Sequence, residues 1–293
     1  MNKKSKIPFW QNRKVVPYLY VAPNMILFLG FMIIPLFMSV YYSLVSWNGL
    51  GKPKFIGLGN YAYIFTDKVF LKALANTFLF TLGTVPAIMI LSLLIALLLN
   101  SKIPWRGFFR SAIYAPAVVS TVVVGTVACW IFNDNLGLLN FILGFFGLNA
   151  INWTTSTTAA MPMIIFTTIW QRTGYNMVIY LAGIQGLSAE VMEAAKIDGA
   201  TTWQRFRYVT VPMLKNTHVF VLVTAMIYSF RSFDLIYTMT KGGPLNSTKT
   251  IVMYVYEQAF SKNYYGRASA GGVILVLIML AFTILQNRLQ KED

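Results

Sequence analysis

Three charged side chains stand inside stretches that are otherwise apolar: Arg172, Arg231 and Asp234. A charge at the centre of a lipid bilayer costs about 2.5 to 3.5 kcal/mol on insertion scales, so each needs a partner or a ligand. Arg231 and Asp234 are three residues apart and can pair on one helix face. Arg172 has no such partner, but Gln171 and Tyr175 lie beside it. Together they offer a fixed positive charge, hydrogen-bond donors and an aromatic ring, which suits a polar ligand.

The residues that enzymes commonly use are scarce. The chain has one histidine, His218, and one cysteine, Cys129, so we expect neither a histidine metal site nor a disulfide. Neither a Walker A pattern nor the H-E-x-x-H pattern occurs in the sequence. We therefore expect a protein that is not an enzyme and that binds no metal.

The composition is that of an integral membrane protein. Of 293 residues, 57% are hydrophobic and 11% are charged, and the mean hydropathy is +0.60. A soluble domain cannot bury that much apolar surface. The net charge of +15 comes from Lys and Arg scattered between apolar runs, which favours the anionic surface of a lipid bilayer over nucleic acid as the partner.

The apolar runs predict an all-α membrane protein with six transmembrane helices. About 20 helical residues cross the hydrocarbon core, and six stretches have that length: 21–43, 77–99, 112–132, 160–181, 219–240 and 268–286. We expect a cytoplasmic N-terminal segment, 1–20, a membrane domain, 21–286, and a cytoplasmic tail, 287–293. With both termini in the cytoplasm, the inner segments carry 14 Lys and Arg and the outer loops carry 8. This excess agrees with the positive-inside rule.

A polar island (residues 186–212) interrupts the apolar runs. Ser188 is a candidate N-cap for a first helix, and Gly199 stands where a left-handed C-terminal residue is needed. Thr201 with Gln204 three residues later fits the capping-box pattern of a second helix. The sequence therefore predicts two short helices joined by a glycine corner, on the cytoplasmic side.

The second helix of the polar island carries Trp203 and Phe206 one turn apart, and Pro212 predicts that it ends or kinks. Two interpretations remain open for the island. It either lies as an amphipathic loop on the lipid surface or docks a soluble partner.

The residues Glu193-Ala194-Ala195, followed by Gly199, resemble the EAA motif of bacterial ABC importer permeases. The stretch 182–214 further resembles the first of two permeases in carbohydrate importers of the maltose and glycerol-phosphate type. Other similar stretches are 112–116, Trp170 with Gly174-Tyr175, 242–244 and 256–260. The chain lacks the large external insertion and the extra N-terminal helices of the maltose-type subunit, so the resemblance implies the minimal six-helix, type I importer permease fold.

The resemblance also implies partners. Family members work in the bacterial cytoplasmic membrane as a heterodimer with a second permease, two copies of an ABC ATPase and an extracellular solute-binding protein. The ATPase uses ATP and Mg²⁺, and no cofactor is expected on this chain. The coupling loop, 184–215, would seat its EAA helix on the ATPase, with a docking surface of Glu193, Ala194, Ala195, Asp198 and Gly199.

The family's sugar site implies a set of lining residues on three spans. They are Ala117 and Thr121 on the third, Gln171, Arg172 and Tyr175 on the fourth, and Ala225, Tyr228, Ser229 and Ser232 on the fifth. The maltose-type members have uncharged residues where this chain has Arg172. We therefore expect an acidic substrate, such as a uronic acid, a sugar phosphate or an amino-acid-conjugated sugar. Alternatively, Arg172 pairs with an acid of the second permease.

A second class of function is an ion-coupled secondary transporter of a small polar solute, whose helices also carry kinks and buried charges. Six spans are few for such a transporter, and a cytoplasmic helix-glycine-helix loop has no role in ion coupling. Dependence of uptake on ATP or on an ion gradient distinguishes the two.

Overall fold

Helices dominate the computed structural model, which describes residues 16–101 and 103–291. In chain order they are α1 (Val16–Phe28), α2 (Ile34–Ser43), α3 (Gly59–Thr66), α4 (Lys68–Asn100), α5 (Arg106–Val118), α6 (Thr121–Ile131), α7 (Leu138–Phe145), α8 (Ala160–Gln185), α9 (Ala189–Ile197), α10 (Thr202–Arg205), α11 (Val211–Met213), α12 (Lys215–Phe230), α13 (Asp234–Thr240), α14 (Ile251–Tyr256) and α15 (Tyr265–Lys291). Helices suit these apolar runs because backbone groups in lipid must find hydrogen-bond partners within their own segment. Most of the predicted N-terminal segment (residues 1–15), Lys102 and residues 292–293 lie outside the described residues.

Short irregular elements connect or follow the helices. Single π-helical turns occur at Leu29–Ile33, Phe206–Thr210 and Glu257–Ser261. Strand β1 (Val45–Ser46) pairs antiparallel with β2 (Lys54–Phe55). This small hairpin lies in the first of the predicted outer loops.

The predicted spans coincide with helices, but two of them are not continuous. Three helices in the described part of the chain are long and apolar enough to cross a membrane: Val16–Ser43, Lys68–Asn100 and Tyr265–Gln286. Helix α8 has 26 residues and so is about 39 Å long, but polar side chains lower its hydropathy. The third and fifth predicted spans are each divided into two helices.

The third predicted span bends by 99° between α5 and α6, because Val119 and Ser120 are extended and interrupt the helix. Pro116, in the last turn of α5, favours an end at this point. The fifth predicted span stops at Phe230 and resumes at Asp234. A further bend, of 67°, separates Thr202–Met213 from α12.

Helix α4 is the central element of the packing. It contacts α8 through the Ser92 hydroxyl, which donates to the carbonyl oxygen of Thr173 at 2.9 Å. It meets α12 where the hydroxyls of Thr84 and Ser229 lie 3.0 Å apart. Hydroxyl groups are effective at such contacts because lipid offers them no alternative partner. These bonds fix α8 and α12, the helices that carry most of the candidate site.

On its other side, α8 packs against α5 at a glycine. A Cβ built on Gly174 would clash with the carbonyl oxygen of Ile113 and would lie 2.8 Å from the Cα of Tyr114. These atoms belong to the backbone and cannot rotate away. The close approach of α5 and α8 therefore requires glycine at position 174.

We predict that Gly174→Ala destabilises the protein by about 2 kcal/mol, because the added methyl group separates α5 from α8. In detergent, circular dichroism should show a thermal midpoint lower by about 5 °C. Gly272→Ala in α15 is the matched control, since a Cβ there meets nothing within 4 Å. Equal midpoints for the two variants would contradict the close-approach argument.

Candidate functional site

The two broken spans and α8 line a half-open cavity of about 390 Å³, which is in the range of small-molecule sites. Thr121, the first residue of α6, lies beside one break, and residues 231–233 form the other. The wall combines aromatic, hydroxyl and charged side chains: Thr121, Arg172, Tyr175, Thr224, Ile227, Tyr228, Arg231, Ser232, Phe233, Asp234 and Leu235. The cavity is therefore a polar site inside an apolar bundle.

Arg172 is held in the cavity by aromatic rings. Its guanidinium carbon lies 3.4 Å from the centroid of the Tyr228 ring and 5.9 Å from that of Tyr175. A cation over an aromatic face contributes about 2 kcal/mol when both are desolvated. Among the described residues, no carboxylate lies within 4 Å of this guanidinium. The charge is thus fixed in place and available to a ligand.

Arg231 and Asp234 both line the cavity, but no ion pair between described residues joins them. The pairing on one helix face, which their spacing allows, is not formed, because the helix is interrupted between them. Arg231 follows the last residue of α12, and Asp234 is the first residue of α13. The cavity wall therefore carries two guanidinium groups and one carboxylate.

The structure brings together five of the nine residues predicted to line a substrate site: Thr121, Arg172, Tyr175, Tyr228 and Ser232. Ala225 is close by, in a space of about 20 Å³ that is also lined by Arg172 and Tyr228. The remaining three predicted residues do not line the cavity.

Gln171 is buried behind the wall, where its amide nitrogen lies 3.4 Å from the Thr121 hydroxyl. Ser229 is fully buried and contacts Thr84 of α4 instead of the cavity. Ala117 is half-buried on α5, before the 99° bend. Gln171 and Ser229 each lie next to a cavity residue in sequence. Because successive side chains on a helix point about 100° apart, neither of them faces the cavity.

Sequence reasoning missed four uncharged wall residues, Thr224, Ile227, Phe233 and Leu235. Thr224 is four residues before Tyr228, so a helical wheel centred on Tyr228 would have found it, and Ile227 is three residues after Thr224. Phe233 and Leu235 lie at the break between α12 and α13, which no glycine or proline in the sequence predicts.

The polar island has the predicted helix-glycine-helix structure. Gly199 has a φ of +76°. The amide of Gly199 donates to the Lys196 carbonyl at 3.2 Å, and the amide of Ala200 donates to the Ala195 carbonyl at 3.0 Å. This is a Schellman C-cap, which needs a left-handed residue at the corner.

The second helix of the island begins with the predicted capping box. The Gln204 amide donates to the Thr201 hydroxyl oxygen at 3.3 Å, and the Thr201 amide donates to the Gln204 side-chain oxygen at 2.7 Å. Ser188 occupies the N-cap position of α9, but its side chain makes no capping hydrogen bond. The bend falls at Leu214, two residues after Pro212.

The island presents its predicted docking residues outward. Glu193, Ala194, Asp198 and Gly199 are exposed, and Ala195 is half-buried. Nearby apolar side chains are also exposed: 82% of Ile197, 68% of Trp203 and 72% of Tyr208. A mixed apolar and polar surface of this kind is typical of a protein interface.

Comparisons with known proteins agree with this architecture. A family model described as "Binding-protein-dependent transport system inner membrane component" matches residues 56–292. The lactose transport system permease protein LacF of Rhizobium radiobacter is 36% identical, with 94% of each chain covered. The sn-glycerol-3-phosphate transport system permease protein UgpA of Agrobacterium fabrum is 33% identical, over 95% of this chain and 96% of its own.

A solved structure has the same fold. It is a crystal structure of a bacterial ABC transporter involved in the import of the acidic polysaccharide alginate, and it superposes with a TM-score of 0.84 over 96% of each chain. The sequence identity is 23%. The fold is thus that of a type I importer permease.

We predict that Thr201→Ala loosens the second helix of the polar island. Loss of an N-cap costs about 1 kcal/mol, which corresponds to opening about five times as often. Hydrogen exchange of amides 202–206 should accelerate by that factor. Thr202→Ala is the control because the Thr202 hydroxyl accepts only from the Arg205 side chain, at 3.3 Å. Equal exchange in both variants would show that the cap contributes nothing.

Proposed function

Because the chain belongs to the family of binding-protein-dependent transport system inner membrane components, we propose that it is a permease subunit of a sugar ABC importer whose substrate carries an acidic group. The acidic group is inferred from Arg172, a half-buried guanidinium without a carboxylate partner among the described residues. A carboxylate or phosphate of the substrate would form charge-assisted hydrogen bonds with it.

Other features of the cavity suit an acidic sugar. Thr121 stands at the N-terminus of α6, an 11-residue helix whose amide groups and dipole favour negative charge there. The rings of Tyr175 and Tyr228 offer apolar faces to a sugar ring, and Thr224 offers a hydroxyl. Asp234 would accept hydrogen bonds from sugar hydroxyls or bind the amino group of an amino-acid-conjugated sugar.

The relatives do not decide the substrate. One is named for lactose, which is neutral, and the other for glycerol 3-phosphate, which is anionic. The alginate importer has the same fold at 23% identity. Support for an acidic substrate therefore comes from Arg172 itself. Pairing of Arg172 with a carboxylate of the second permease is the alternative that the experiment below tests.

The remaining subunits are part of the proposal. A second permease would form a heterodimer with this chain, two copies of an ABC ATPase would bind ATP with Mg²⁺, and an extracellular solute-binding protein would deliver the sugar. Both termini and the polar island would be cytoplasmic. Glu193, Ala194, Ala195, Asp198 and Gly199 would form the surface that docks on the ATPase.

Helix α12 would transmit closure of the ATPase to the cavity. It begins at Lys215, just after the polar island, and ends at Phe230 beside the cavity, a distance of about 24 Å. A Cβ on Gly183 would lie 2.5 Å from the Thr217 hydroxyl, so α8 and the start of α12 are in close contact. Movement of the island would therefore move both helices that hold Arg172 and Tyr228.

We predict that Arg172→Gln reduces uptake of an acidic sugar by the reconstituted importer at least tenfold. A charge-assisted hydrogen bond contributes about 1.5 to 3 kcal/mol, and tenfold corresponds to 1.4 kcal/mol. Uptake should be measured with glucuronic acid and glucose as a charged and neutral pair. In Arg172→Gln, we expect the rate of glucuronic acid uptake to fall while the rate of glucose uptake does not.

Arg267→Gln is the matched control, since Arg267 also stacks on a tyrosine, Tyr63, at 3.6 Å but lies outside the cavity. If Arg172→Gln leaves uptake of the acidic sugar unchanged, the acidic substrate is excluded. If instead the heterodimer dissociates, Arg172 pairs with the second permease.

We predict that purification of this chain from its native membrane recovers two copies of an ATPase, and that Gly199→Val abolishes this recovery. Valine is strained at a φ of +76°, so the corner of the polar island would change shape. Gly186→Ala is the control, because Gly186 has a negative φ and a Cβ there would make only ordinary van der Waals contacts, at 3.5 Å or more. Recovery of the wild-type chain alone, with uptake driven by an ion gradient, would favour the secondary transporter.

A further inference from the structure

Four aromatic side chains lead away from the cavity in a continuous series, which we call the aromatic track: Phe233, Tyr237, Tyr256 and Phe260. Phe233 lines the cavity. Its ring centroid lies 5.2 Å from that of Tyr237 and 4.9 Å from that of Tyr256. Tyr256 in turn lies 5.1 Å from Phe260. The track therefore begins at the proposed substrate site and continues beyond it.

Two helical segments position the track. Phe233 and Tyr237 are four residues apart at the start of α13, and the Tyr237 amide donates to the Phe233 carbonyl at 2.8 Å. Tyr256 ends α14, and Phe260 lies in the π-helical turn Glu257–Ser261 that follows. Such turns widen the helix and are frequent at functional sites.

The outer end of the track is open. Phe260 is 71% exposed and Tyr237 is 37% exposed. Helix α12 starts at the polar island and ends beside the cavity. The chain reaches Tyr237 and Phe260 only after that end. The track thus connects the cavity with the side of the membrane opposite the island, from which an imported sugar comes under the proposed function.

The tyrosine hydroxyls of the track are free in the described structure. No described residue forms a hydrogen bond with the hydroxyl of Tyr237 or Tyr256, and neither oxygen is sealed in the interior. Nearby tyrosines that serve packing differ. The Tyr254 hydroxyl donates to Asp67 at 2.8 Å, and the Tyr61 hydroxyl donates to Ser43 at 2.7 Å. Tyrosines buried for stability usually have such partners. Tyr237 and Tyr256 are not buried, so their hydroxyls are accessible to a ligand.

The ligand chemistry follows from the rings. The faces of a sugar ring carry C–H groups with partial positive charge, and these pack on the negative face of an aromatic ring. The sugar's hydroxyls point sideways, where a tyrosine hydroxyl can reach them. The charged residue next to Tyr256, Glu257, is neutralised by Lys249 at 2.7 Å. The track therefore selects for sugar rings and not for charge.

We propose that the aromatic track is an oligosaccharide subsite, on which the sugar rings that follow the first one stack while that first ring occupies the cavity. The two steps from Phe233 to Phe260 give room for two further rings. The inference rests on the proposed function, since it requires a sugar to enter from this side. It makes chain length a property that the importer recognises.

The test uses the complete importer reconstituted in proteoliposomes with its binding protein. Uptake is measured for galacturonic acid and its oligomers of two to four rings, and for glucose and the matching maltooligosaccharides. In Tyr256→Leu we expect the KM for chains of three and four rings to rise about fivefold to tenfold. The KM for single rings should not change. Tyr256→Phe should keep most of the stacking and lie close to wild type.

Phe146→Leu removes an exposed ring, 72% exposed, outside the track and should have no effect that depends on chain length. If Tyr256→Leu slows one-ring and four-ring sugars equally, or changes neither, the track is a structural or subunit contact and the proposal is wrong. The same holds if the wild-type importer takes up single rings only.

Uptake of the neutral sugars, glucose and the maltooligosaccharides, tests the aromatic track independently of the proposal that the substrate is acidic. If only maltooligosaccharides are taken up, the proposal that the substrate carries an acidic group is wrong. The role of the track is then tested with the neutral chains. If neither series is taken up by the wild-type importer, the proposed function fails and the track fails with it.

Discussion

Backbone groups that lack a hydrogen-bond partner cannot face lipid, and this constraint determines where the helices of the permease can break. Two of the predicted spans are interrupted, one between α5 and α6 and the other between α12 and α13. Both interruptions border the same cavity. The broken ends thus lie beside a polar space, and the same breaks bring Arg231, Phe233 and Asp234 to its wall.

The packing around the cavity holds the broken helices in position. Helix α4 is continuous for 33 residues and is tied to α8 and α12 by hydroxyl groups, while Gly174 lets α5 approach α8 from the other side. Arg172 is therefore placed by a helix that is fixed on both faces. Its guanidinium needs no carboxylate to be held, because the Tyr228 ring supports it at 3.4 Å.

The features that could be predicted from the sequence were set by local chemistry. Gly199 and the capping box of Thr201 and Gln204 follow from backbone rules within a few residues, and the structure has both. Arg172 was identified because a charge in an apolar run needs a reason. The breaks were harder to predict, since the segment 231–233 contains neither glycine nor proline.

The errors in the predicted cavity wall also come from contacts between residues that are distant in sequence. A side chain on a helix turns by about 100° per residue, so Gln171 and Ser229, each next to a cavity residue, face other helices. Only the packing partners of α8 and α12 decide which neighbour faces the cavity, and those partners are distant in sequence. The aromatic track has this non-local character too, because it joins α13 to α14.

The fixed charge of Arg172 has an electrical consequence. Arg172 belongs to α8 and does not cross the membrane with the sugar, so it can neutralise an acidic substrate only while that substrate is bound. A monoanion that enters a cell against an inside-negative potential must gain about 2.3 kcal/mol per 100 mV. The work grows with each additional acidic ring. For an acidic sugar chain, import is therefore an electrogenic process whose cost rises with length, and hydrolysis of ATP would have to supply that difference.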